Sequence, residues 1–151
     1  MSIKYYFREY EESDYNFIYN LKKLSYKGYV EEFFGEWNEE FQSKKFCEYM
    51  ENSLSNIKII MVDKERIGFV EGYLETDEKY EIGNICLLPS YQGKGIGSSY
   101  LNNLILENSN RDIYLGVFKT NPARKLYERF GFKIIDETNS HYLMIKDGKF
   151  N

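Results

Sequence analysis

The chain has few of the residues that mark several protein classes. Its 151 residues include only two cysteines, two prolines, one histidine and one tryptophan. Because disulfide frameworks normally use more cysteines in shorter chains, we expect Cys47 and Cys86 to be free thiols in a reducing compartment. No cluster of cysteine and histidine suggests a metal site. The length and the absence of a Pro-, Gly- or Ser-rich linker favour a single domain over residues 1–151.

Long apolar runs and an excess of basic residues are also missing. No stretch approaches the roughly 20 apolar residues of a membrane span, and the opening MSIKYYFREY lacks the apolar core of a signal peptide. We therefore expect a cytoplasmic protein with no membrane partner. The 20 Lys and Arg residues against 24 Asp and Glu residues give a net charge of −4. This mild acidity argues against a nucleic-acid partner, which would need a basic face.

Aromatic residues, by contrast, are abundant, with 15 Tyr and 11 Phe, and a hydrophobic fraction of 42% is enough for a core. Alternation and apolar runs predict strands over 3–10, 57–62, 66–75, 80–88, 112–118, 132–137 and 141–146. Helical spacing predicts helices after 13, 38, 95 and 121, whereas 26–37 reads as irregular. The order β-α-α-β-β-β-α-β-α-β-β predicts an α/β (α+β) fold. Its central sheet would be mixed, mostly antiparallel and about seven-stranded, with helices on both faces.

Local patterns also predict helix starts and buried stripes. Ser13 and Asp14 offer an N-cap for the first helix, and Asn121 offers one for a helix that begins with Pro122. The buried stripe of the second helix is predicted to be Phe41, Cys47 and Met50. That of the third is Ile96, Tyr100, Leu101, Leu104 and Ile105, and that of the last is Ala123, Leu126, Tyr127 and Phe130.

Three glycines stand where a helix must start, in YQGKGIGSSYLNNLI (91–105). Glycine costs roughly 1 kcal/mol against alanine inside a helix, so this turn must need bare backbone. The first N–H groups of a helix lack internal partners and, without Cβ atoms nearby, can hold a phosphate. The spacing fits neither the Walker A loop nor the dinucleotide-binding fingerprint. The alternative is that the glycines only turn the chain tightly.

Three separate segments resemble the GNAT superfamily of acyl-CoA N-acyltransferases or one of its subgroups. QGKGIG (92–97) is similar to its Q/R-x-x-G-x-G/A loop, and NICLLPSYQGKGIGSSYL resembles the superfamily's fourth strand, loop and following helix. VFKTNPARKLYERFGF (117–132) resembles its N-x-A-x-x-L-Y-x-x-x-G-F segment, and TNSHYLMIKD (138–147) resembles the closing strand of a bacterial subgroup with mostly unassigned substrates. The element order agrees along the whole chain and implies the acyl-CoA N-acyltransferase fold.

The resemblance implies acetyl-CoA as cosubstrate, coenzyme A as product, and no metal. The implied pyrophosphate loop is Gln92, Gly93, Lys94, Gly95, Ile96, Gly97 and Ser98. The backbone of Ile85, Cys86 and Leu87 would pair with the pantetheine arm like an added strand. Asn121 would also contact the coenzyme. NPARKLY is one residue shorter between Asn and Tyr than the commonest family spacing, so Asn121 departs from the family pattern while Tyr127 keeps its place in it.

Acetyl transfer to an amine needs two proton movements. A lysine-like amine has a pKa of about 10.4 and is almost wholly protonated at neutral pH, so a base must take a proton. Glu81 is the candidate base, eleven residues before Gln92 as in the superfamily's histone-modifying members. It competes with an ordinary solvated glutamate and with the weaker rivals Glu71, Glu75 and Asn84. The resemblance places Tyr127 beside the thioester sulfur, and the alternative is a packing role only.

The acceptor is expected against the aromatic segment at 26–37, where the family's variable helix-1/helix-2 region lies. Tyr29, Phe33 and Trp37, with acidic neighbours, would suit a cationic amine. Core packing is the alternative for each of them. His141 is placed with the acceptor residues, and it is either a base or a structural residue.

The resulting hypothesis is an N-acetyltransferase that moves acetyl from acetyl-CoA to a primary amine of a small molecule or peptide by direct attack in a ternary complex. One alternative is a non-catalytic acyl-CoA-binding or sensing module of the same fold. Another is a nucleotide-binding protein that uses the same anion site. The C-terminal strands also leave open a homodimer formed by strand exchange.

Overall fold

The computed structural model describes residues 2–148. The helices are α1 (Tyr15–Phe34), α2 (Glu39–Ser53), α3 (Ile96–Glu107) and α4 (Ala123–Arg129). The strands are β1 (Tyr6–Glu9), β2 (Ile57–Val62), β3 (Glu65–Thr76), β4 (Lys79–Leu87), β5 (Asp112–Phe118), β6 (Lys133–Glu137) and β7 (His141–Lys146). Short 3-10 turns precede α1 and follow α2 and β4. The predicted order of strands and helices is confirmed.

Within residues 2–148, seven strands form one sheet in the order β1-β2-β3-β4-β5-β7-β6. β1 with β2, β2 with β3, β5 with β7 and β6 with β7 are antiparallel pairs. β4 and β5 run parallel, with Lys79 opposite Asp112. A parallel pair needs a long crossover, and the segment between these two strands contains α3. The predicted mixed, mostly antiparallel sheet of about seven strands is confirmed.

The chain divides into two compact units. The N-terminal unit comprises residues 4–71 and 85–91, and the C-terminal unit comprises the described parts of 1–3, 72–84 and 92–151. The single-domain interpretation of residues 1–151 stays a prediction.

The N-terminal unit has a core built from both helices and the strands beside them. One packed cluster of its buried side chains comprises Ile18, Leu21, Phe46, Met50, Ile57, Ile59, Met61, Phe69 and Cys86. Each large apolar side chain buried in this way contributes roughly 1.5–3 kcal/mol. Tyr15 and Tyr19 meet the ring of Phe46 edge-on, at centroid distances of 5.1 and 5.2 Å. These contacts bind α1 to α2.

Asp14 does not cap α1 as predicted. Its side chain makes no capping hydrogen bond to the helix. It accepts instead from both terminal nitrogens of Arg8 at 2.9 Å each, from Arg66 at 3.2 Å and from the Glu11 N–H at 2.8 Å. Two guanidinium groups are stronger partners for a buried carboxylate than a helix amide. Asp14 therefore ties the start of α1 to β1 and β3.

The prediction that 26–37 is irregular is wrong, because α1 continues to Phe34. Gly28 lies inside this helix in open space and does not interrupt it. No side chain of α1 after Leu21 is fully buried. Tyr26, Tyr29, Val30 and Phe33 are half-buried at helical spacing, but none of them is fully buried. Gly35, with φ of 98°, ends the helix.

α2 starts at the predicted cap, since the Asn38 side chain accepts from the Phe41 N–H at 2.8 Å. The predicted stripe is rotated, however. Of the predicted residues, Met50 is buried as expected, whereas Phe41 is 56% exposed and Cys47 is exposed. The other buried residues of α2 are Phe46 and Ser53. Phe41 lies in the first turn, where its ring faces solvent and the ammonium group of Lys45 lies 5.6 Å from its centroid.

The C-terminal unit buries side chains from α3 and three strands, β4, β5 and β7. The predicted face of α3 is confirmed for four residues, while Ile105 is half-buried. On the strands the buried side chains are Ile82, Ile113, Leu115, Val117, Met144 and Ile145. The prediction that α4 carries a buried stripe is wrong, because no side chain of this seven-residue helix is fully buried.

Three further structural facts concern the cysteines, membrane-crossing helices and metal sites. Cys47 and Cys86 are free cysteines, as predicted. Between residues 2 and 148, no helix has both the length and the apolar character that crossing a membrane requires. In the same range no three His, Cys, Asp or Glu side chains are grouped to hold a metal ion.

Candidate active site

The glycine turn leads directly into α3. Gly93 and Gly95 adopt left-handed backbone angles, with φ of 73° and 89°. Gly95 is the N-cap residue, and its carbonyl oxygen accepts from the Ser99 N–H at 2.9 Å. A Cβ built on Gly93, Gly95 or Gly97 would meet no protein atom within 4 Å. The helix therefore begins with bare backbone facing open space, while Ile96 is buried beneath it.

This geometry has the features that an anion site needs. The first N–H groups of α3 have no partner inside the helix, and its dipole places about half a positive charge there. The left-handed glycines turn the chain without placing a side chain over these groups. Lys94 and Gln92 are exposed beside them. The loop thus fits a phosphate or pyrophosphate group by its backbone alone.

Glu81 lies on β4 within a network of polar side chains. Burial raises the pKa of its carboxyl, and a hydrogen bond with the Glu75 carboxyl raises it further, whereas a hydrogen bond from Tyr73 lowers it. The Glu75 carboxyl has a lowered pKa, first because Lys79 donates to it, with 2.8 Å between Nζ and Oε2. The opposite directions of these two shifts make Glu81 the more basic carboxyl of the pair and the one that binds a proton first.

The strand alternation predicted for β4 also holds. Ile82, Asn84 and Cys86 are buried, while Glu81 and Gly83 belong to the more accessible set. Glu81 therefore shares a side of the strand with Gly83 rather than with Asn84.

Tyr127 lies half-buried near the end of α4. Its ring meets that of Phe132 edge-on at 6.0 Å, and its carbonyl oxygen accepts from the Phe132 N–H at 3.1 Å. Gly131, with φ of 95°, makes the turn that brings Phe132 back. The pKa of Tyr100 on α3 is raised mainly by burial and by Tyr80, with smaller contributions from Glu107 and Tyr127.

Asn121 and His141 have defined local roles. The Asn121 side chain accepts from the Ala123 N–H at 2.9 Å, which is the predicted capping interaction at the start of α4. The Nδ1 atom of His141 is 2.7 Å from Ser140 Oγ, and its ring packs on Phe118 with centroids 4.1 Å apart. Burial lowers the pKa of His141, so the imidazole is mostly neutral at pH 7.

The end of β4 and the helical segment after it hold the other predicted residues. Cys86 points into the N-terminal core, with its Sγ 3.5 Å from the Tyr26 hydroxyl, and Ile85 and Leu87 are half-buried. Tyr29 and Phe33 are half-buried in the second half of α1. Trp37, just after it, donates its indole N–H to Glu39 at 2.9 Å.

The model of the acetyltransferase (GNAT) family matches residues 22–132, which is more than two thirds of the chain. The chain belongs to the GNAT acetyltransferase family. The resemblance and the acyltransferase class expected from the sequence are thereby confirmed. The matched range includes the glycine turn, Glu81 and Tyr127.

One relative of this GNAT protein is the [ribosomal protein bS18]-alanine N-acetyltransferase of Haemophilus influenzae. The two are 35% identical over 99 residues, which covers 64% of this chain and 66% of the relative, just under two thirds of its length.

Two solved structures share the fold of this GNAT protein. The PaiA N-acetyltransferase of Thermoplasma acidophilum, solved with coenzyme A, is 21% identical with a TM-score of 0.69, covering 95% of this chain and 99% of that one. Naa50 of Arabidopsis thaliana, solved with the bisubstrate analogue CoA-Ac-MVNAL, is 19% identical with a TM-score of 0.62, covering 95% and 98%.

The sequence did not reveal the partners of Glu81 in this GNAT protein. Sequence patterns make Glu75 only a weak rival base, and they do not single out Tyr73 or Lys79. The signal was present, because Glu75 and Lys79 flank the two-residue connection between β3 and β4. A hairpin places residues on the two sides of its turn close together. Glu81, the next residue after Lys79 on the same face of β4, is then also close to them.

Proposed function

We propose that this GNAT protein is an acetyl-CoA-dependent N-acetyltransferase that acts on a primary amine by direct attack in a ternary complex. The observation that carries the proposal is the pair of left-handed glycines, Gly93 and Gly95, at the N-terminus of α3. A diphosphate carries the negative charge that a helix N-terminus attracts, and the glycines leave room for it to reach the exposed backbone amides.

The backbone N–H groups from Gly93 to Ser98 are proposed to bind the pyrophosphate, with Lys94 adding a positive charge. The backbone of Ile85, Cys86 and Leu87 is proposed to pair with the pantetheine arm. Such pairing tolerates many side chains, so burial of the Cys86 side chain does not oppose it. Bound acetyl-CoA supplies an acetyl group activated as a thioester. Asn121 keeps its capping role, and its predicted contact with the coenzyme remains part of the proposal.

Glu81 is proposed to take the proton that the attacking amine must lose. A raised pKa suits this role, because a carboxylate of ordinary pKa is a weak base at neutral pH. Glu75 is proposed to tune it, since the hydrogen bond between the two carboxyl groups raises the pKa of Glu81. Lys79 and Tyr73 hold the pair in place.

Tyr127 is proposed to donate a hydrogen bond to the leaving sulfur. An ordinary phenol has a pKa of about 10 and an ordinary thiol about 8.5, so full proton transfer would be uphill by roughly 2 kcal/mol. The hydroxyl therefore orients and stabilises the sulfur rather than protonating it completely.

A peptide α-amine is the first acceptor to test. The Haemophilus influenzae relative is named for an alanine of a ribosomal protein, and the Arabidopsis thaliana neighbour was solved with a peptide-bearing analogue. Tyr29, Phe33, Trp37 and His141 remain the proposed acceptor contacts.

The test is a thiol-release assay with acetyl-CoA and a panel of amines that includes an alanine-initiated peptide, a polyamine and an aminoglycoside. Calorimetry measures binding of coenzyme A in parallel. We expect Tyr127→Phe to lose most of its turnover and to retain coenzyme A binding. Tyr10→Phe, a half-buried tyrosine of the N-terminal unit, serves as the matched control and should retain both.

Two results would count against the proposal. Coenzyme A binding without turnover on any amine would favour the acyl-CoA-binding or sensing alternative. Tighter binding of ATP or NAD than of coenzyme A would favour the nucleotide-binding one. A thermal-shift series with the three ligands separates these outcomes, because a ligand raises the melting temperature according to its affinity.

A further inference from the structure

A cavity of about 300 Å³ lies between α1 and α2, within the N-terminal unit. It is lined by positions 19, 22, 23 and 30 of α1, by positions 42, 45, 46 and 49 of α2, and by Trp37 between the two helices. The spacings of three and four residues place each set on one helix face. The volume is at the lower end of the range found for small-molecule sites, about 300–1,000 Å³.

The walls of this cavity combine aromatic rings with three lysines. Phe46, Tyr49 and Trp37 supply ring surface, and Lys22 lies with its Nζ 4.1 Å from the centroid of Tyr49 and 5.9 Å from that of Phe46. The Nζ of Lys23 lies 5.9 Å from the Trp37 centroid. Cation and ring thus lie together on one surface, as they do in sites for flat charged ligands.

One of the three lysines is neutralised locally. Glu39 accepts from Lys23 at 2.7 Å, from the Tyr19 hydroxyl at 2.7 Å and from the Trp37 indole at 2.9 Å. These hydrogen bonds, that of Lys23 foremost, lower the pKa of Glu39 to about 2. This carboxylate is therefore ionised at any physiological pH, and its acceptor capacity is largely taken up.

The other two lysines, Lys22 and Lys45, also line the cavity. Among residues 2–148, neither Lys22 nor Lys45 has a carboxylate within salt-bridge distance. Burial lowers the pKa of Lys22; Glu71 and the Cys86 thiol oppose this shift without overcoming burial, and the charge of Lys45 makes a smaller contribution in the same direction as burial. Because both lysines line the same cavity beside aromatic rings, an anion bound there can interact with two ammonium groups.

We propose that this cavity binds a small aromatic carboxylate, with the carboxylate at Lys22 and Lys45 and the ring against Phe46, Tyr49 and Trp37. A singly charged ligand fits better than a phosphate dianion, because desolvating a second charge is expensive and apolar ring surface offers it no partner. A protonated amine is disfavoured by the two ammonium groups. Trp37 lines this cavity and is also a proposed acceptor contact, so the carboxylate site adjoins the proposed acceptor region and shares that residue with it.

Trp37 makes the proposal directly testable, because it is the only tryptophan of the chain. Its fluorescence is titrated with phenylacetate, and with phenylacetamide, phenethylamine and inorganic phosphate as comparison ligands. We expect a saturable change with phenylacetate and at least tenfold weaker binding of each comparison ligand. Binding of phenylacetamide or phosphate as tight as that of phenylacetate, or a response that never saturates, would overturn the proposal.

Variants of the two lining lysines, one on α1 and one on α2, then test the charges. Lys22→Gln and Lys45→Gln should each weaken phenylacetate binding at least fivefold, as measured by calorimetry so that the result does not depend on the fluorescence of Trp37. Lys44→Gln changes an exposed neighbour that does not line the cavity and should leave the affinity unchanged. If Lys22→Gln does not fold, Lys45→Gln decides alone. Equal affinities across the three variants would refute the assignment.

Discussion

The most direct test of the fold is the substitution Asp14→Asn, which removes one charge and leaves the side-chain volume unchanged. Asp14 has 0% exposure and accepts four hydrogen bonds from Arg8, Arg66 and the Glu11 N–H, at 2.8–3.2 Å. These contacts join β1, α1 and β3 within the N-terminal unit. Burial by itself would raise the pKa of the Asp14 carboxyl, but these hydrogen bonds outweigh it and lower the pKa.

The size of the effect depends on the groups that the substitution leaves without a partner. Breaking a buried ion pair costs about 3–5 kcal/mol when the remaining charge stays buried. Here the side chains of Arg8 and Arg66 are 26% and 38% exposed, so they recover part of their hydration. Asparagine also keeps one acceptor oxygen. We therefore expect the free energy of unfolding to fall by about 2–3 kcal/mol, which corresponds to a melting temperature lower by roughly 4–12 °C.

Urea denaturation at several pH values measures this loss. A lowered folded-state pKa means that Asp14 contributes its full stabilisation above the unfolded carboxyl pKa of about 4, and loses it as the pH falls through the lower folded-state value. The difference between wild type and Asp14→Asn should therefore shrink in acid. Glu12→Gln, an exposed neighbour, is the control and should change stability by less than about 0.5 kcal/mol. A loss no larger than that of the control, or a difference that widens in acid, would refute the reasoning.

Three further predictions concern the proposed site and the strands that support it. Glu75→Gln removes a group that raises the pKa of Glu81, so the acidic limb of the kcat/KM profile should move to lower pH; an unmoved limb contradicts Glu81 as the base. Gly97→Ala places a methyl group in open space inside α3, so urea unfolding should show a gain of about 0.5–1 kcal/mol while calorimetry shows weaker coenzyme A binding. Unchanged affinity would mean that the coenzyme does not approach this backbone. Gly68→Ala would drive its Cβ into a backbone carbonyl oxygen of β4, so it should lower the free energy of unfolding by about 1–3 kcal/mol. Gly116→Ala is the control and should cost less, because its Cβ meets no atom within 4 Å.

The order of strands and helices was predictable because most of these elements carry a local signal. The residues of β2 are almost all buried, and α3 buries side chains at positions 96, 100, 101 and 104, which is the spacing of one helix face. The left-handed glycines and the Asn121 cap were likewise visible in the sequence, since only a few residue types meet those backbone requirements.

The features that the sequence missed depend on contacts between distant residues. Asp14 looked like a cap because the guanidinium group of Arg66 comes from 52 positions away. The second half of α1 looked irregular because it buries no side chain completely. The carboxyl pair of Glu75 and Glu81 required the β3–β4 hairpin to be in register. Finding the lysines between α1 and α2 required knowing which face of α2 is buried, and the sequence alone placed that face incorrectly.

The two free thiols differ sharply in accessibility, and this gives the protein a built-in kinetic probe. Cys47 lies exposed on α2, so a maleimide reagent will modify it at once; a serine in its place removes this background from any assay that counts released thiol. Cys86 is 2% exposed and belongs to β4, so it reacts only when that strand opens. The slower labelling rate therefore measures how often the strand proposed to receive pantetheine separates from its neighbours, and bound coenzyme A should slow it.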